Sequence, residues 1–129
     1  MAVSKSSLSA GEIIRAALTE SEEVASRARK VYPVVEDTAE LPYIVYRRAS
    51  LEKGQVKNQR GNDTVTIEIQ CYTADYTEGV ELAEAVRDAL DGVQIEHEGL
   101  IMRACDLADS AEDWIADAYV QSLVFNCKM

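Results

Sequence analysis

The only histidine, His97, sits in Glu96-His97-Glu98 beside Gly99, with no second histidine and no cysteine close by. Zinc needs three or four such ligands, so His97 reads as a solvated turn residue rather than a metal ligand. Asp106, Asp109, Glu112, Asp113 and Asp117 form the densest group of acids. They lack the Asp-x-Asp-x-Asp-Gly register and the closing glutamate of a calcium loop. Ser50-Leu-Glu-Lys53 has the Ser-x-x-Lys spacing of penicillin-recognising enzymes, but the companion motifs are missing, and it reads as a chance match. The six glycines are scattered, which leaves no phosphate-cradling loop, dinucleotide fingerprint or nucleophile elbow. Cys71, Cys105 and Cys127 form no C-x-x-C pair, and each lies in an apolar stretch. They read as reduced, buried thiols that pack as small hydrophobes. An enzyme therefore has little to stand on in these residues, and no cofactor or metal site is expected.

The elements that position these residues follow from periodicity. Ser9-Ala-Gly-Glu12 has capping-box spacing, with Ser9 expected to accept from the backbone at Glu12 and Glu12 to reach back. It opens a helix near 10–18 on Ile13, Ile14, Ala17 and Leu18, and Val24, Ala25 and Ala28 suit a further turn or two. Strands are expected near 31–35, 43–49, 64–73, 100–107 and 116–126, with boundaries good to about 2–4 residues. Val65, Ile67, Ile69 and Cys71 alternate with Thr66, Glu68, Gln70 and Tyr72, which marks a half-buried strand. Pro33 makes 31–35 an edge strand or strand start. Residues 51–63, with Gly54, Gly61 and Asn62-Asp63, read as the long polar loop of an antiparallel hairpin. A helix near 78–90, capped by Asp75 or Thr77 and stopped at Gly92, follows from Val80, Ala83, Val86 and Leu90. Leu100–Leu107 and Ala116–Phe125 then form a second hairpin around an acidic turn, Asp109–Asp113. The result is an α+β fold, a mainly antiparallel sheet of about four or five strands with two helices on one face. One domain spans 1–129, with 1–8 expected to be disordered.

Charge is more informative than any motif. The chain has 129 residues, 47% of them hydrophobic, and a formal charge of −10. That balance argues against net attraction to nucleic acid or anionic lipid. No apolar run has the length of a membrane span, and the N-terminus lacks the hydrophobic stretch of a signal peptide, so an intracellular site of action is expected. The acidic excess is confined to the C-terminal half: residues 64–92 carry one basic and seven acidic side chains, and residues 93–129 carry two and seven. Around the long hairpin, Arg47, Arg48, Lys53, Lys57 and Arg60 meet only Glu52, so a basic loop projects from an acidic body. Arg47, Arg48, Lys53, Lys57 and Arg60 on one copy and Glu81, Glu84 and Asp88 on the next are the candidate contacts of a head-to-tail interface. The bland alternative is a solvated loop.

In order and spacing, the chain resembles the tail terminator or tail completion proteins of long-tailed bacteriophages and prophages. The matching pieces are a short N-terminal helix, Arg29-Lys-Val-Tyr-Pro33, Leu41-Pro-Tyr-Ile-Val-Tyr46, Val65-Thr-Ile-Glu-Ile-Gln-Cys-Tyr72, the helix ending Leu90-Asp-Gly92, and Trp114-Ile-Ala-Asp-Ala-Tyr119 with Leu123 and Phe125. The resemblance implies a cofactor-free structural protein that forms a ring, usually of six subunits, on the tail tube. Such a ring ends tube growth and provides the surface for the head connector. Its implied partners are further copies of itself, the tail tube protein and the head connector protein, with DNA only passing through and no membrane contact. Its implied location is the bacterial host cytoplasm during assembly and then the virion tail or neck. Another neck component of similar size, or a small acidic binding domain outside any virion, remains open on the residues alone.

Overall fold

The computed structural model describes residues 6–28, 30–33, 40–54 and 63–129. Three helices, α1 (Ala10–Glu20), α2 (Glu22–Arg27) and α3 (Tyr76–Leu90), accompany seven strands. These are β1 (Lys30–Pro33), β2 (Tyr43–Glu52), β3 (Thr64–Thr73), β4 (Ile95–His97), β5 (Leu100–Met102), β6 (Ala104–Ile115) and β7 (Ala118–Lys128). Five strands form one sheet in the order β1-β2-β3-β7-β6, while β4 and β5 form a separate two-stranded ribbon.

The alternation in β3 decides which face of the sheet is covered. Val65, Ile67, Ile69, Cys71 and Thr73 are buried, and the residues between them are half-buried. Ile13, Ile14 and Leu18 of α1 and Leu82, Val86 and Leu90 of α3 pack with that row and with Leu123, Phe125 and Cys127 of β7 in one core. Phe125 is completely enclosed, so truncating it to alanine costs about 3–5 kcal/mol. Thr19 and Ser21 separate α1 from α2: the Thr19 hydroxyl donates back to the Arg15 carbonyl at 2.9 Å, and Ser21 Oγ accepts from the Val24 N–H at 3.3 Å. Asp75 caps α3 by accepting from the Glu78 N–H, and Gly92, at φ +75°, lies just beyond its end.

The α+β class and the mainly antiparallel sheet are as the sequence indicates, and several details differ. β1 pairs with β2 in parallel, because the chain re-enters the sheet at Tyr43, level with Lys30. The other pairings in the large sheet are antiparallel. The Ser9 capping box does not form: Ser9 makes no side-chain cap bond, and Ser6 Oγ instead accepts from the Leu8 N–H at the head of a single 3-10 turn, Ser7–Ser9. That turn buries Ser7, within the 1–8 stretch expected to be disordered, of which residues 1–5 lie outside the described residues. The expected strand 100–107 is interrupted at Arg103, and Leu100–Met102 pairs with Ile95–His97. His97 therefore ends a strand, and the turn is Glu98-Gly99, both at positive φ.

The acidic turn is the largest difference. Asp109–Asp113 lies within β6, and the chain reverses at Ala116-Asp117, with φ of 50° and 62°. These acids sit on an edge strand that is exposed from residue 108 onward, where carboxylates are not forced into the core. A bulge between Leu107 and Asp109 adds one residue and switches the alternation, so Trp114 stands opposite Tyr119 and Glu112 opposite Gln121.

Candidate subunit interface

The proposed basic surface is divided by the fold. Arg47 and Arg48 belong to β2 rather than to the loop, and both have partners within the chain. Arg47 pairs with Glu68 directly across the ladder at 3.2 Å. Arg48 donates to the Leu8 carbonyl at 2.9 Å. Lys53 is exposed at the end of β2, and Lys57 and Arg60 lie outside the described residues. At the base of the same hairpin, Asp63 accepts from the Gly54 N–H at 3.1 Å. Its carboxyl is held below the usual carboxylate range chiefly by a hydrogen bond from Ser7, then by Gly54, with help from the Lys53 charge.

The acidic side is intact. Glu78, Glu81, Glu84 and Asp88 are exposed along α3 at spacings of three, three and four residues, which places them on one stripe of the helix. The helix meets the sheet with its opposite stripe, Leu82, Val86 and Leu90.

Sequence reasoning missed an aromatic surface at the β6–β7 tip. Trp114 is 53% exposed and Ile115 43%. Trp114 meets Tyr119 edge-on at 4.7 Å, and Tyr119 meets Tyr76 edge-on at 5.9 Å. Glu112 anchors the group, accepting from the Gln121 amide at 2.7 Å and from the Tyr76 hydroxyl at 2.6 Å. Those two donors hold the Glu112 carboxyl below its ordinary value, and the same bond raises the Tyr76 phenol. The one sequence signal was a large apolar pair, Trp114-Ile115, next to a row of acids.

At the opposite edge of the sheet, α1, α2 and β1 enclose a groove of about 600 Å³. Leu18, Val24, Ala28 and Val31 supply apolar walls, while Arg15 and Lys30 bring positive charge and Glu12 one carboxylate. Among the described residues, no group of three His, Cys, Asp or Glu side chains is placed to hold a metal. Among them also, no helix is long and apolar enough to cross a membrane. The three cysteines are free and buried, with Cys105 and Cys127 opposite one another and their sulfurs 3.6 Å apart.

These surfaces can be set beside known proteins. A search of curated proteins finds no match. Among solved structures, a chain of the virion of a native gene transfer agent particle superposes with a TM-score of 0.77 at 18% identity, covering 91% of each chain. The gp17 protein of bacteriophage SPP1 superposes with a TM-score of 0.61 at 14% identity, covering 94% of this chain and 88% of that one. At such identities the likeness establishes a shared fold. Residues 12–127 match the family described as tail completion protein gp17, so the chain belongs to that family and is a structural protein of a phage-type tail.

Proposed function

We propose that copies of this chain close into a ring, six to a turn, on the last ring of the tail tube, where they stop tube growth and present the surface to which the head connector joins. The supporting observation is the separation of charge: an exposed acidic stripe on α3 and a basic hairpin headed by Lys53. Two different patches that attract one another make a heterologous contact, and such contacts close into rings when the rotation between copies allows it. A predominantly acidic ring also suits DNA passage, because a lining without clustered Lys and Arg does not hold phosphates. Further copies of the chain, the tube protein and the head connector are the partners on this reading. Assembly takes place in the host cytoplasm before the protein becomes part of the virion.

The test reverses the hairpin charge with Lys53→Glu, Lys57→Glu and Arg60→Glu together. Lys53 is exposed, and charge substitutions at such positions shift stability by less than about 0.5 kcal/mol, so the variant should still fold and melt cooperatively. A complementation assay should show overlong tails or tails without heads. Normal capping and joining by the triple variant would place the contact between subunits elsewhere.

A further inference from the structure

The register of the large sheet contains a relation that charge counting did not show. One cross-strand row runs from Lys30 at the β1 edge through Tyr43, Tyr72 and Val120 to Asp113 at the β6 edge. At about 4.8 Å between neighbouring strands, its ends lie about 19 Å apart, at one level along the strands. Trp114 follows Asp113 and stands opposite Tyr119. It is on the face that carries the helices, since Tyr76 at the start of α3 joins the same aromatic group. The groove between α1, α2 and β1 opens on that face too, beside Lys30.

We propose that the aromatic tip of one copy seats in the α1–α2–β1 groove of the next copy, with Trp114 entering the groove and Asp113 meeting Lys30. Complementary charge favours a second copy as the occupant: exposed Asp113 and Asp117 flank the tip, and Arg15 and Lys30 outnumber Glu12 in the groove. The groove of about 600 Å³ has room for an indole, and Leu18, Val24, Ala28 and Val31 give it apolar walls to pack against. Placement suits a ring. Knob and groove occupy opposite edges of one sheet, so the contact is heterologous, the kind that closes into a ring when the rotation between copies allows it. The proposal rests on the ring reading and assigns it a contact distinct from the Lys53 hairpin.

The experiment uses the full chain and two single-cysteine additions, Asp113→Cys and Lys30→Cys, because the three native thiols are buried and do not compete. Mixed at high concentration under mild oxidation, the two variants should give disulfide-linked dimers, while either alone should stay monomeric on a non-reducing gel. A chain carrying both changes should give a ladder of multimers. Adding Trp114→Ala to Asp113→Cys should lower the cross-linking yield about tenfold, the loss expected for an aromatic anchor at the centre of a contact. Asp113→Lys should abolish the association, and Lys30→Glu in the same chain should restore it. No more cross-linking in the mixture than in either variant alone would overturn the contact. Glutaraldehyde treatment of assembled tails separates the two ideas: multimers of the parent chain there, without Asp113–Lys30 cross-links, would sink this contact and keep the ring. Their absence as well would sink both.

Discussion

Replacing Gly79 with alanine sets two effects of opposite sign against each other at one atom. Gly79 lies in the first turns of α3, where alanine is favoured over glycine by about 1 kcal/mol on helix propensity alone. A Cβ at this position would stand 2.8 Å from Thr73 Oγ1 and 3.6 Å from Gln121 Cγ. The Thr73 oxygen cannot retreat cheaply. It is fully buried, and its hydroxyl donates to the Asp75 carbonyl at 2.8 Å, fixing the entry into α3. Overpacking a closed site costs about 1–3 kcal/mol, so the clash outweighs the propensity and leaves a net loss of about 1 kcal/mol. For a chain of this length 1 kcal/mol corresponds to about 4 °C in melting temperature. Thermal unfolding followed by circular dichroism should therefore show Gly79→Ala melting about 4 °C lower, where propensity alone demands a rise of similar size. A Thr73→Ala, Gly79→Ala cycle isolates the cause, because removing Oγ1 should make the second substitution favourable and give a coupling of at least about 1 kcal/mol. A higher melting temperature for Gly79→Ala, or no coupling, would refute the argument.

Asp91 accepts from the Leu107 N–H at 2.9 Å and pairs with Arg87 at 3.2 Å, and these contacts, in that order, depress its pKa. A depressed carboxylate contributes stability above its unfolded value of about 3.9 and loses it as pH falls through the lower folded value. Asp91→Asn should thus lower the melting temperature at neutral pH by an amount that shrinks in acid, and a pH-independent difference in a melting series would contradict this. Burial pushes the Cys71 thiol up to about 12, and a hydrogen bond with Cys127 together with burial drives Cys105 up as well. Native protein at pH 8 should therefore resist Ellman's reagent and react at all three cysteines only once unfolded; prompt reaction of a native thiol would count against it. Ala116, at φ 50°, occupies a left-handed position that costs an L-residue about 1–2 kcal/mol. Asparagine tolerates it better, so Ala116→Asn should raise the melting temperature by a few degrees, and a fall would show the turn to be constrained otherwise.

The parts of the fold legible in sequence were those where one period ran without interruption. β3 alternates through Val65, Ile67, Ile69 and Cys71, and α3 lies between Asp75 and Gly92, and both sit where those signals place them. Unpaired length and local insertions hid the rest. The three residues of β4 are too few to show a period, and Arg103 divides what looks like a single run from Leu100 to Leu107. In β6 the bulge at Ala108 exchanges the faces halfway along, so the acids appear as a turn and Trp114 appears to have no place. The parallel pairing of β1 depends on where the chain re-enters the sheet, which no local residue encodes. The candidate surfaces divided in the same way. The acidic stripe on α3 follows from helical spacing, whereas the partners of Arg47 and Arg48, Glu68 and the Leu8 carbonyl, lie 21 and 40 residues away.

The twelve residues of β6 form one edge of the sheet, and among the described residues no strand covers its outer side. A long bare edge invites pairing with any extended chain, and Asp106, Asp109, Glu112 and Asp113, all exposed along it, oppose that by repulsion between like copies. Such protection depends on ionisation. As the solution is acidified toward the isoelectric point of about 4.5, the net negative charge that keeps copies apart falls toward zero while the row of backbone donors and acceptors remains. Turbidity should then rise while circular dichroism still reports a folded chain, and salt, by screening the same charges, should move its onset to higher pH. A bare edge therefore makes this protein's solubility depend on its net charge, and storage buffers for it should keep well above the isoelectric point.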